Sequence, residues 1–144
     1  MELAEIGKNI LTNCMNVKPG ENVLIVTDDE KYAIGQALYQ AAKLLKAEAM
    51  LMTMPAREVS GQEPPAVVAA AMKAADVGIC PMKTSITHTR AKIEAAEAGA
   101  RIATMPGITE EMFAGMFRFI IIGSIRLVPF LAIASVGMQP VRQR

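Results

Sequence analysis

An open, doubly wound α/β fold, with a mainly parallel sheet and helices on both faces (a Rossmann-like three-layer arrangement), is predicted by three observations. Short runs of strand character at 22–27, 48–54, 76–80 and 101–104 alternate with segments of helical periodicity, giving βαβαβαβ. Each connection is long enough to hold the helix that a parallel crossover requires. The first run, Asn22 to Thr27, is β-branched and apolar almost throughout, as in a strand covered on both faces.

The elements follow in order. Leu3, Ile6, Ile10, Leu11 and Met15 recur at helical spacing until Lys18-Pro-Gly20 breaks the pattern, so residues 2–15 read as a docked amphipathic helix. After the strand 22–27, Asp28 and Asp29 are placed to cap a helix over 30–46, whose stripe is Ala33, Leu38, Ala41, Ala42 and Leu45. Glu48 to Met54 is the second strand, stopped by Pro55. Arg57 to Glu63 is a polar loop, and Pro64-Pro65 opens a helix over 66–75, with Glu63 at its N-terminal edge. Asp76 to Cys80 is the third strand, Thr89 to Ala98 a helix, and Arg101 to Thr104 a fourth strand halted by Pro106-Gly107.

The segment 119–138 is nearly all apolar, without amphipathic period and of bilayer-spanning length. Arg126 near its centre costs about 3 kcal/mol on insertion scales, against roughly 0.3 to 0.6 gained per Ile, Leu, Phe or Val, so hydropathy permits a membrane anchor. Pro129 and the glycines weaken a helix there.

Composition narrows the function. At 144 residues the chain is one domain in size, and its formal charge of +1 supplies no field for a nucleic acid. Aromatic residues are 4% of the chain and Trp is absent, so stacking platforms for single strands are missing too. Cys14 and Cys80 lie far apart and read as reduced core thiols, and the acidic amphipathic N-terminus lacks signal-peptide character; both point to a cytoplasmic protein.

In open parallel sheets ligands gather at the carboxyl ends of the strands. The loop after the third strand, Pro81-Met-Lys-Thr-Ser-Ile-Thr-His-Thr89, is the richest there, with a cation, four hydroxyls and the chain's single histidine at a helix start. Two readings stand side by side. In one, Ser85 or Thr87 caps the helix and His88 bonds a neighbouring loop; in the other, Ser85, Thr87, His88, Thr89 and Glu63 line a substrate cavity. No catalytic residue is assigned, since no carboxylate partner for His88 is legible.

Asp28-Asp29-Glu30 has the placing of a receiver-domain acid cluster, but Cys80-Pro81 stands where a receiver needs an aspartate, so the acids read as helix-start residues. No glycine-rich phosphate fingerprint follows Thr27. A zinc site from Cys14, Cys80 and His88 would lack a fourth soft ligand and any known spacing. No metal is expected on this chain.

Four phrases make the chain recognisable. They are Val17-Lys-Pro-Gly-Glu-Asn-Val-Leu-Ile-Val-Thr-Asp-Asp29, Ser60-Gly-Gln-Glu-Pro-Pro65, Ser85-Ile-Thr-His-Thr-Arg-Ala91 and Gly99-Ala-Arg-Ile-Ala-Thr-Met-Pro-Gly107-Ile-Thr-Glu-Glu-Met-Phe113. Together they resemble the amino-terminal domain of the thermophilic-type metalloaminopeptidases, the aminopeptidase T and leucyl aminopeptidase family, over residues 1–115. The resemblance implies a homodimeric, two-domain enzyme that removes N-terminal residues from peptides. A second domain would hold zinc, cobalt or magnesium through acidic residues and histidines, and the metal would activate water. It further implies that 85–89 and 58–65 wall the substrate cavity near the domain interface. Extradiol-type dihydroxypyridine dioxygenases look like distant relatives of similar two-part layout, though the aminopeptidase wording is closer. Because the resemblance stops near Met116, residues 116–144 are expected to be a divergent apolar tail from a truncated or out-of-frame ending. The chain is then expected to be inactive alone, and the alternatives are a stand-alone interaction or self-association domain or a domain anchored by 119–138.

Overall fold

A computed structural model describes the backbone of residues 2–121 and the side chains as far as Gly115. Helices α1 (Leu3–Asn13), α2 (Tyr32–Leu44), α3 (Ala66–Ala74), α4 (Arg90–Glu97) and α5 (Glu110–Ile121) alternate with strands β1 (Asn22–Asp28), β2 (Glu48–Met54), β3 (Val77–Met82) and β4 (Arg101–Pro106). The four strands form one sheet in the order β2-β1-β3-β4, and every pairing is parallel. The doubly wound α/β architecture is therefore as expected. Among the described residues no helix is long and apolar enough to cross a membrane. The apolar segment 119–138 lies, from residue 122 onward, outside the described residues.

Alternation along the strands builds two cores. Val23 and Ile25 of β1, Val77 and Ile79 of β3, and Ala103 and Met105 of β4 face α1, α2 and α5 through Ile6, Ile10, Leu38 and Phe113. Leu24, Val26, Cys80, Met82 and Ile102 project from the opposite face onto Val68 and Met72 of α3 and Ala91 and Ala95 of α4. Helix α5 is an element the sequence reading left unassigned. Its signal is Thr109 before Glu110-Glu111: the Thr109 hydroxyl accepts from the Met112 amide at 3.1 Å, and both acids sit in the first turn. The helix runs on to Ile121, past the boundary drawn at residue 115.

Strand β3 reaches Met82, two residues beyond the expected end, and so takes in Pro81. Proline in a central strand ordinarily costs a ladder bond. Here the β1–β3 pairing stops at Ile25↔Ile79, while β3 stays paired with β4 to the end. The Pro81 carbonyl accepts from the buried Thr27 hydroxyl at 2.9 Å. In extended chain a residue's N–H and C=O face the same edge, so the donor that proline lacks faces the gap between β1 and β3, where no ladder partner remains.

The opposite end of the sheet is tied by Arg101. Its Nη1 and Nη2 donate to the two carboxylate oxygens of Glu21 at 3.0 and 2.7 Å, and Nε donates to the Met15 carbonyl at 3.2 Å. The Arg101 bonds hold the Glu21 carboxyl below its ordinary value of 4.5, against the opposing effect of burial. A carboxylate with a lowered folded pKa stabilises fully above its unfolded pKa and loses that contribution as pH falls through the folded value. Urea midpoints are expected to decline below pH 4.5, and Glu21→Gln is expected to flatten that decline; parallel acid profiles for the two proteins would refute the assignment.

Candidate functional site

Sheet order reverses direction between β1 and β3, and the two strands part there at their carboxyl ends. Asp28, wholly buried, occupies the fork. Its Oδ1 accepts from the amides of Glu30 and Lys31 at 3.0 and 3.1 Å, and its Oδ2 from the amide of Lys83 at 2.7 Å. The expectation that Asp28 and Asp29 cap α2 is corrected accordingly. The N-cap position of α2 is Lys31, with no side-chain cap bond. Asp28 instead closes the turn before the helix and ties it to the loop after β3, while Asp29 is exposed. Parity carried this signal in the sequence, since Asp28 follows Leu24 and Val26 on the same inward face of β1.

The loop 83–89 is built around its own hydroxyls. Ser85 Oγ accepts from the Thr87 amide at 3.1 Å and bonds Thr87 Oγ1 at 2.9 Å; Thr87 Oγ1 in turn meets Thr104 Oγ1 of β4 at 2.8 Å. Neither Ser85 nor Thr87 caps α4, contrary to expectation. Thr89 is the N-cap residue, accepting from the Lys92 amide at 3.3 Å and donating to the Ile86 carbonyl at 2.6 Å. His88 is exposed. Its expected bond to a neighbouring loop is not formed among the described residues.

Glu63 brings a further correction. Rather than edging α3, its carboxylate crosses to α4 and accepts from the amides of Arg90 and Ala91 at 2.7 and 3.1 Å. Those two donors are orphaned at a helix start, and a negative charge is favoured there by the helix dipole. The polar loop ahead of α3 follows Glu63 across. Gly61 N donates to the Ser85 carbonyl at 2.8 Å, Ser85 N to Ser60 Oγ at 3.3 Å, and Lys83 Nζ lies 3.2 Å from Glu30 and 3.3 Å from Glu58. Hydrogen bonds to Glu30 and then Glu58 hold the Lys83 ammonium above its ordinary pKa. Residues 58–63 and 83–91, far apart in sequence, thus form one continuous wall.

Lys92 is a residue the sequence reading missed. It is 2% exposed on α4, in the apolar stripe of Ala91, Ala95 and Ala96. That position within the stripe was the available signal. Burial pushes its pKa down, with an electrostatic influence of nearby Cys80 acting the other way. A lysine whose folded pKa is lowered costs stability while protonated, and the cost is relieved as pH rises from the folded value to the unfolded one. Lys92→Met is expected to raise stability near pH 7 by about 1 kcal/mol and to remove the alkaline gain; a loss of stability at every pH would refute this.

The donors do not fit a metal. Among the described residues no group of three or more His, Cys, Asp or Glu side chains is arranged to hold one. Cys14 and Cys80 are unbridged and belong to opposite faces of the sheet. Burial pushes their thiols up to about 11 and about 12, so both stay protonated and make poor ligands. A cleft of about 210 Å³ lies beside the fork, lined by Glu30, Lys31, Ala33, Ile34, Ile108, Thr109 and Glu110. None of the five expected cavity residues reaches it.

Neither a family model nor a curated protein sequence matches the chain. Among solved structures it is similar to 2,5-dihydroxypyridine dioxygenase from Pseudomonas putida KT2440, with a TM-score of 0.62 and 20% identity over 79% of this chain. The match covers 36% of the dioxygenase chain, so the present chain spans little more than a third of that protein's length. At this identity the likeness is one of fold, an α/β layout shared by the two chains.

Proposed function

We propose that this chain is the amino-terminal α/β domain of a cytoplasmic, homodimeric metal-dependent aminopeptidase. In this reading it walls the cavity that receives a peptide's first residue. A second domain supplies the acidic and histidine ligands for zinc, cobalt or magnesium, whose bound water would be the nucleophile. The observation that carries the reading is the joining of Ser60-Gly-Gln-Glu63 to Ser85-Ile-Thr-His-Thr89, two phrases of the aminopeptidase resemblance, into one wall at the carboxyl end of the sheet.

That wall also sorts the five cavity candidates by role. Ser85, Thr87, Thr89 and Glu63 spend their polar atoms on the loop and on α4. His88 alone is exposed without a side-chain bond among the described residues, so it is the group left to meet a substrate or the second domain. Ser85, Thr87, Thr89 and Glu63 hold the loop that presents it.

The test reads the coding DNA beyond the Met116 codon in all three frames and assays the joined two-domain protein. Metal-dependent release of leucine from leucyl peptides is the expected result. Absence of any frame encoding acidic and histidine ligands would overturn the reading, as would metal-dependent turnover by the present chain alone. Offering 2,5-dihydroxypyridine to the same preparation separates the peptidase from a dioxygenase.

A further inference from the structure

We infer that residues 55–63 form a strap that swings open as a local unit, uncovering the start of α4 and the Ser85 backbone while the sheet stays folded. The inference stands independently of the aminopeptidase reading.

The strap's attachments differ in kind from those of the segments on either side. Met54 before it and Pro64 after it are buried, whereas Glu58, Val59, Ser60, Gly61, Gln62 and Glu63 are all exposed. Val59, its one large apolar side chain beyond the hinge, is 65% exposed. Burial of apolar surface therefore contributes little to holding the strap down. What holds it is a row of polar contacts to a single neighbour, the 83–91 segment: Glu58 to Lys83, Ser60 and Gly61 to Ser85, and Glu63 to Arg90 and Ala91. The contacts of Glu58, of Ser60 and of Glu63 with Arg90 are exposed, where water replaces a lost partner at small cost, and the Glu63 bond to the Ala91 amide is part-buried.

Two further features favour opening. Arg57 Nε is buried with no hydrogen-bond partner among the described residues, and its Nη2 reaches the Glu63 carbonyl only at 3.5 Å. Closure thus leaves a charged donor unsatisfied, and opening rehydrates it. The strap also carries its own turn, with Gln62 N bonded to the Val59 carbonyl at 3.3 Å and Gly61 at φ +88°. It can move as a piece between hinges at Pro55 and Pro64. Segments with few apolar contacts and solvent-edge bonds open well below the free energy of global unfolding. Glu63 is the latch, since it alone supplies two of the contacts and satisfies two helix-start donors.

Amide hydrogen exchange on the whole chain tests this. The amides of Gly61, Ser85, Arg90 and Ala91 are expected to exchange by an opening that low denaturant leaves unchanged, while those of Ile25 and Ile79 follow global unfolding. Glu63→Ala is expected to speed exchange at Arg90 and Ala91, and tryptic cleavage after Arg57, by about tenfold, the effect of losing one charged cap. Ile25 and Ile79 should be unaffected. Ser60→Ala, which removes only the Ser85 contact, should speed the same sites to a lesser degree. Equal protection and equal denaturant dependence at the strap and the core amides would overturn the proposal, as would either variant accelerating core and strap together.

Discussion

Asp28→Ala is expected to destabilise the protein by about 3 kcal/mol, a large share of the 5–15 kcal/mol typical of a domain. The side chain is wholly buried at the fork between β1 and β3, and its two oxygens accept from three backbone amides. Hydrogen bonds to a charged acceptor exceed neutral ones in strength, and removing the acceptor leaves the Glu30 and Lys83 amides without their partner, while the Lys31 amide keeps its bond to the Asp28 carbonyl at 3.2 Å. The Lys83 amide matters most among them. At 2.7 Å it is the shortest of the three bonds and spans 55 residues, joining the end of β1 to the loop that carries His88.

Asp28→Asn separates charge from shape. Its carbonyl can still accept from Glu30 and Lys31, but its amide group then faces the Lys83 N–H, donor against donor. The expected cost is about 2 kcal/mol, with the damage confined to the 83–89 loop. Denaturant unfolding measures the totals, and exchange at the Lys83 amide locates the loss. An alanine variant within 1 kcal/mol of the parent would refute the account of the fork.

The contrast between Asp28 and Glu63 shows what the sequence made legible. Strands and helices were readable because apolar patterning is local: Leu3, Ile6, Ile10 and Leu11 recur at helical spacing and Val23 to Val26 form an unbroken apolar run whatever else the chain does. The partners of polar side chains depend instead on which loops the crossovers bring together. Glu63 stands beside Pro64-Pro65, so local reasoning gave it to α3, whereas the β2-β1-β3 order sets its loop against α4. The same limit separated Thr89 from Ser85 and Thr87 as cap of α4. All three hydroxyls lie close ahead of the helix, and only the pairing of Thr87 with Thr104, across to the neighbouring strand, removes one of them from contention. The third strand was expected to end at Cys80; its run through Pro81 to Met82 depends on the parting of β1 from β3, which is invisible in the sequence.

Gly35→Ala is expected to cost a net 2 kcal/mol or roughly that, even though alanine is favoured over glycine inside a helix by about 1 kcal/mol. A Cβ at position 35 of α2 would lie 2.7 Å from both Cβ and Cγ2 of Thr27 and 3.0 Å from its Oγ1. Thr27 cannot turn away. Its Cβ is fixed to the backbone of β1, and its hydroxyl is committed to the Pro81 carbonyl. Gly78→Ala supplies the control, since its Cβ would meet Cδ1 of Ile102, the tip of a flexible side chain, also at 2.7 Å. Ile102→Val deletes that atom and is expected to rescue Gly78→Ala in large part. Thr27→Ser deletes only Cγ2 and is expected to rescue Gly35→Ala in small part, because the overlap with Cβ remains. Melting curves of the four variants and two pairs decide the matter, and full rescue of Gly35→Ala by Thr27→Ser would refute the backbone origin of the clash. If α2 instead yields by lifting off β1, the turn that Asp28 organises lifts with it, so Gly35→Ala should also speed exchange at the Lys83 amide, on the far side of the fork.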